Sequence, residues 1–179
     1  MQAYHAHPTS KFKSANGYNE VYKLENIDSI ELKRLTYSGG YGDIAPSSEE
    51  RIIVVKKGTG VITLQGQNHL LENGSVLEIP SAQLIQLNEE VGAQIIFYIA
   101  RGTKGNHSIE TSSFHYSGKF QSIEPSSKDR LFIAQKGMAF AVIGSKTVRV
   151  EEGTVLEIPA NETIQLSSAT IDFQVISTR

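Results

Sequence analysis

The chain has 179 residues, and 17 Lys plus Arg against 19 Asp plus Glu leave a formal charge of −2. That length fits one medium domain or two small ones, and the charge offers no basic face to displace counterions from nucleic acid. Hydrophobic residues make up 39% and charged residues 20%, a composition that builds a core, and the absence of Cys excludes disulfides, thiolate nucleophiles and Cys-ligated metals.

In chain order, residues 1 to about 30 come first as an arm. Met1 to His5 does not open a signal peptide, and no apolar run approaches the roughly 18 residues that span a bilayer. A cytosolic protein with neither a membrane nor a nucleic-acid partner is expected. His5-x-His7 offers two imidazoles at strand spacing, but in an untethered terminus it reads as a solvated tail. The only helical stripe is a weak one from Val21 to Leu35. Beyond it, short β-rich runs alternate with turn residues: Arg51 to Val55, Gly60 to Leu64, Ser75 to Ile79, Leu84 to Leu87 and Ala93 to Ile99. Runs of that length, so punctuated, predict an all-β sandwich or barrel. Gln65-Gly66-Gln67-Asn68 and Gly144-Ser145-Lys146 read as hairpin turns.

The chain also repeats itself. Displaced by 79 residues, Tyr37-Ser38-Gly39 falls on Tyr116-Ser117-Gly118, Pro46-Ser47-Ser48 on Pro125-Ser126-Ser127, and Arg51 on Arg130. Lys57-Gly58, Gly74-x-Val76-Leu77-Glu78-Ile79-Pro80 and Ile85-Gln86-Leu87 recur in the same register. About 19 identities over about 51 ungapped positions identify two copies of one β module. The polar stretch Arg101 to Ser108 joins them, so the expected domains are 1–105, the arm plus the first barrel, and 106–179, the second.

The spacing Gly39-x5-Ala45-x-Ser47-x3-Arg51-x6-Gly58 resembles the first cupin motif, and Gly118-x5-Glu124-x-Ser126-x3-Arg130-x6-Gly137 repeats it. Gly74-x5-Pro80 and Gly153-x5-Pro159 match half of the second cupin motif, whose following Gly is here Ala82 or Asn161 and whose His is Ile85 or Ile164. The resemblance covers about residues 37–100 and 116–178. It implies a bicupin, two tandem double-stranded β-helix (jelly-roll) barrels.

Cupin metals are held by two His, a Glu and a third His. Their places are Ala45, Ser47, Arg51 and Ile85 in the first copy and Glu124, Ser126, Arg130 and Ile164 in the second. A methyl, a hydroxyl, a guanidinium and a branched alkyl do not hold a divalent ion, so no metal and no cofactor is expected. Instead, Arg51 and Arg130 directed inward, with Ser47, Ser126 and Glu124, would grip a small polar or anionic ligand. The plainer reading pairs each Arg with a neighbouring acid such as Glu50, Glu78, Asp129 or Glu157. The expected function is non-catalytic binding of a sugar-like or carboxylate molecule in a sensory role, by a protein that forms a homodimer. The run from Arg51 to Pro80 resembles the effector barrel of arabinose-regulator-type transcription factors, without their DNA-binding part. A metal-independent sugar isomerase or epimerase, using His115, Tyr116, Glu124 and Arg130, is the alternative; a structural, oligomerising bicupin with filled barrels is the second.

Overall fold

A computed structural model of the chain describes residues 5–14, 16–89 and 93–179, and none of these is helical. The strands are β1 (His5–Ser14), β2 (Gly17–Lys23), β3 (Ile30–Tyr37), β4 (Gly40–Ile44), β5 (Arg51–Gly58), β6 (Gly60–Leu64), β7 (Gln67–Leu71) and β8 (Val76–Ile79). They continue as β9 (Ile85–Glu89), β10 (Ile95–Gly102), β11 (Ile109–Ile123), β12 (Arg130–Ile143), β13 (Lys146–Glu151), β14 (Val155–Ile158) and β15 (Ile164–Thr178).

The sequence repeat is a structural repeat. Moved by 79 residues, β3 and β4 fall on the two ends of β11, β5 and β6 on β12, β7 on β13, β8 on β14, and β9 on the start of β15. Both expected turns are hairpins: Leu64 pairs with Gln67, and Ile143 with Lys146. Gln65 and Gly66 hold φ of 50° and 77°, the doubly left-handed turn that suits the twist of flanking strands.

Two compact units divide the chain. One comprises residues 8–23 and 31–109 and contains the first repeat. Its strands form the sheet β2-β3-β10-β5-β8 and the sheet β4-β9-β6-β7. Ile53, Val55, Ile62, Leu64, Ile85 and Phe97 form the core of this unit. The other comprises residues up to His7, 24–30 and 110–179, with strand order β11-β15-β12-β14-β1 and β13 on β12. Its core is built on Phe132, Phe173, Leu156, Ile158 and Ile164. The expected boundary after residue 105 compares with one after 109, and residues 24–30, expected with the first barrel, are grouped with the second repeat.

Two expectations for the arm are corrected. The Val21 to Leu35 stretch is not helical: it supplies β2 and β3, paired from Gly17 with Tyr37 to Val21 with Lys33. Nor is His5-x-His7 a solvated tail, since His5 pairs with Leu156 and Ala6 with Val155, so β14 claims the backbone. The two imidazoles meet edge to face at 5.4 Å. Burial, with the neighbouring His7, holds the His5 pKa below the ordinary imidazole value.

No helix among the described residues is long and apolar enough to cross a membrane.

Candidate functional site

Arg51 opens β5, between Arg101 of β10 and Ile79 of β8, and Arg130 opens β12, between Ser177 of β15 and Ile158 of β14. Both are buried, at 4% and 8% exposure. Each spans two loops in the same way. One Arg51 terminal nitrogen donates to the Ala45 carbonyl at 2.9 Å and the other to the Gln83 carbonyl at 2.5 Å. Arg130 donates likewise to the Glu124 and Glu162 carbonyls, each at 3.1 Å. The pairing with acids is therefore corrected. Ile52, not Arg51, stands opposite Glu78, and Leu131 opposite Glu157, so in a pleated sheet those carboxylates face away from the arginines. Burial lowers the pKa of both guanidiniums, and for Arg51 the nearby Arg101 cation adds to it.

The acids have other partners. Glu157, 1% exposed, accepts the Asn26 amide at 2.8 Å and the Ile27 amide at 3.3 Å. Asp129 accepts the Ser29 hydroxyl and the Ala160 amide, each at 3.0 Å. Glu50, at the equivalent place in the first repeat, accepts the Ser108 hydroxyl at 2.5 Å.

Ser47 and Ser126 organise the turns before these strands. The Ser47 hydroxyl accepts the Glu49 amide at 3.2 Å while its carbonyl accepts the Ala82 amide at 2.6 Å. Ser126 repeats this with Lys128 and Asn161. Ala82 and Asn161 take φ of 63° and 69°, the left-handed conformation that explains why the cupin motif places Gly there.

The first-repeat unit contains a cavity of about 590 Å³. Ala45, Ser47 and Arg51, three of the four expected inward positions, line it. The fourth, Ile85, is fully buried in the core instead, as is Ile164 in the other unit. Leu35, Ile44, Leu87 and Ile99 form an apolar floor, and Lys33, Glu31, Asp43 and Arg101 add charge around it. Arg101 pairs with Glu31 at 3.1 Å and Glu49 at 3.5 Å, and Lys33 stands 3.7 Å from Glu31. The Ser48 hydroxyl donates to Glu49, with Arg101 and His107 nearby, and together they hold that carboxyl below the ordinary carboxylate range. Asn16, Tyr18 and Asn19, from the β1–β2 hairpin, complete the wall. Sequence reasoning missed this hairpin, because the arm has no counterpart in the second repeat and so no frame to place it; it also missed Lys33 and Arg101.

The alternative catalytic set is not assembled. His115 is exposed and bonds Asp172, while Tyr116, the next residue on β11, is buried on the opposite face. Glu124 serves Arg130 through its carbonyl rather than its carboxylate. Nor do the residues at the cupin metal positions fit a metal: Ala45 and Ile85 carry no donor, Ser47 is engaged in a turn, and Arg51 brings a cation. Among the described residues, no group of three His, Asp or Glu is placed to hold an ion.

No protein-family model and no curated protein matches this sequence. Solved structures do match. The 11S globulin from Wrightia tinctoria, whose structure is described as revealing an auxin binding site, superposes with TM-score 0.77 at 10% identity, over 98% of this chain and 83% of the globulin. A cupin 2 conserved barrel domain protein from Leptotrichia buccalis gives 0.66 at 14% identity over 96% and 92%. AerE from Microcystis aeruginosa gives 0.73 at 13% identity over 99% of both chains. At such identities the likeness is one of architecture: the chain has the all-β barrel fold of the cupins.

Proposed function

We propose that the chain is a bicupin of two tandem barrels that binds a small molecule without turning it over, and that the first-repeat cavity is the binding site. The single observation that carries this reading is a 590 Å³ space in which Arg51 and Ser47 stand beside an apolar floor of Leu35, Ile44, Leu87 and Ile99. Mixed walls of this kind orient a small ligand through a few polar groups and hold it by apolar contact. Two tandem barrels are supported by the strand-for-strand recurrence at 79 residues. The non-catalytic role is supported by the dispersal of His115, Tyr116 and Glu124 away from any shared space. A sensing function suits a protein that captures a molecule and leaves it unchanged.

A thermal-shift screen of sugars, sugar acids and small carboxylates tests this. A true ligand at 100 times its Kd stabilises by about 2.7 kcal/mol, or roughly 5–10 °C for a chain of this size. We expect at least one such compound, and we expect Leu35→Phe, which narrows the cavity, to reduce its effect. A panel without a stabiliser, or stabilisation unchanged in Leu35→Phe, counts against the cavity.

A further inference from the structure

The two arginines hold the same place in the repeat, but their surroundings differ in charge and in space. Arg51 has carbonyl partners at Ala45 and Gln83, its Nε is buried with no hydrogen-bond partner, and among the described residues no carboxylate pairs with it. A guanidinium withdrawn from water with only neutral partners keeps an uncompensated charge. Arg130 shares the carbonyl pair and the bare Nε, yet its guanidinium lies 5.6 Å from the centre of the Phe132 ring, whose π face offsets part of that charge. Position 53, the counterpart of 132, is Ile and offers no such face.

Space follows the same division. Phe114 stands where the first repeat has Leu35, and its ring packs 6.3 Å from Phe173, which in turn meets Phe132 at 5.3 Å. Three rings thus occupy the second-repeat interior beside Arg130. In the first repeat Leu35, smaller than Phe114, borders open volume together with Ile99, and Arg51 lines that volume.

We infer that the chain holds one organic monocarboxylate per molecule, received by Arg51 in the first-repeat cavity, and that Arg130 is its structural counterpart and takes no ligand. This rests on the cavity reading above and adds the ligand's charge and its number. The carboxylate compensates Arg51, and a compact apolar body covers Leu35, Leu87 and Ile99. Arg51, Arg101 and Lys33 face Glu31 and Asp43 in the same wall, with Arg101 and Lys33 already paired to Glu31, so the net charge left to a ligand suits a monoanion better than a dianion such as a phosphate monoester.

Calorimetric titration of the whole chain tests the proposal with hexanoate and benzoate against hexanol, benzyl alcohol and hexyl phosphate. We expect the carboxylates to bind one per chain, at least tenfold more tightly than the alcohols and the phosphate monoester. Because Arg51→Met also cuts the clasp on Ala45 and Gln83, Leu35→Phe carries the mutational arm: it sets a ring against the cavity where the second repeat has Phe114, leaves Arg51 in place, and should weaken binding at least tenfold while melting no lower than the parent chain. Two carboxylates per chain, or alcohols or hexyl phosphate bound as tightly, overturn the inference. If no carboxylate binds while a neutral compound does, and that binding is weakened in Leu35→Phe, the anion is wrong and the cavity stands. Carboxylate binding unchanged in Leu35→Phe removes both.

Discussion

Ala82 shows how much one backbone angle decides. Its φ of 63° is left-handed, and its amide is tied to the Ser47 carbonyl at 2.6 Å, so the loop cannot relax into a cheaper conformation without losing that bond. A side chain with a Cβ resists this region by about 1–2 kcal/mol, and Asn tolerates it better than Ala. The second repeat already places Asn161 at the equivalent site. We expect Ala82→Asn to stabilise the chain by about 0.5–1 kcal/mol, read as a raised denaturant midpoint at unchanged m-value; a lowered midpoint contradicts the assignment. At this scale, the arginines were legible as inward residues but their partners were not. Glu78 and Glu157 lie on neighbouring strands yet stand opposite Ile52 and Leu131, and a one-residue offset turns a side chain to the other face of a sheet.

At the scale of elements, glycines decide where strands bend. Gly58 and Gly137 end matching segments with φ of 95° and 90°, and a Cβ there would fall 2.1 Å from the Gln94 carbonyl oxygen and 2.0 Å from that of Thr170. Neither neighbour is a movable side-chain tip, so the backbone itself must shift. Gly58→Ala should cost about 3 kcal/mol or more, the range of single changes that combine backbone strain with a buried clash. Chemical denaturation would measure it, and a loss under about 1 kcal/mol would show that the β5–β10 pairing yields more easily than the geometry implies. A glycine also explains why β11 runs unbroken where β3 and β4 are separate strands. Gly39 between them and Gly40 at the start of β4 hold φ of 104° and 92°, whereas in the second repeat Gly118 alone keeps a positive φ and Lys119, at the place of Gly40, continues the strand. Such breaks were legible in the sequence, since Gly is the residue that supplies positive φ at little steric cost.

For the whole molecule, the grouping of residues 24–30 with the second repeat is the feature that sequence order conceals. The buried Glu157 holds the Asn26 and Ile27 amides, and Asp129 holds Ser29, so this segment satisfies carboxylates of the unit that contains β12 and β14. Deleting residues 1–30 removes the donors of the buried Glu157, a loss of roughly 1–3 kcal/mol for the unpaired group alone, together with the β1 backbone that pairs with β14. Hydrogen exchange should therefore show reduced amide protection in β12 and β14 of the truncated chain, far along the sequence from the cut. Unchanged protection there would mean that the segment contributes nothing to that unit's stability.

Strand period, turn chemistry and the 79-residue repeat are local or self-referential patterns, and they were enough to identify an all-β chain whose strands recur at that interval. Which interior stays open was decided by packing. Leu35 against Phe114 and Ile53 against Phe132 are conservative differences on paper, yet Leu35 borders a cavity while Phe114 and Phe132 pack their rings on Phe173. The cavity wall supplied by Asn16, Tyr18 and Asn19 likewise depends on how the β1–β2 hairpin lies against β3, a long-range pairing that no local pattern encodes.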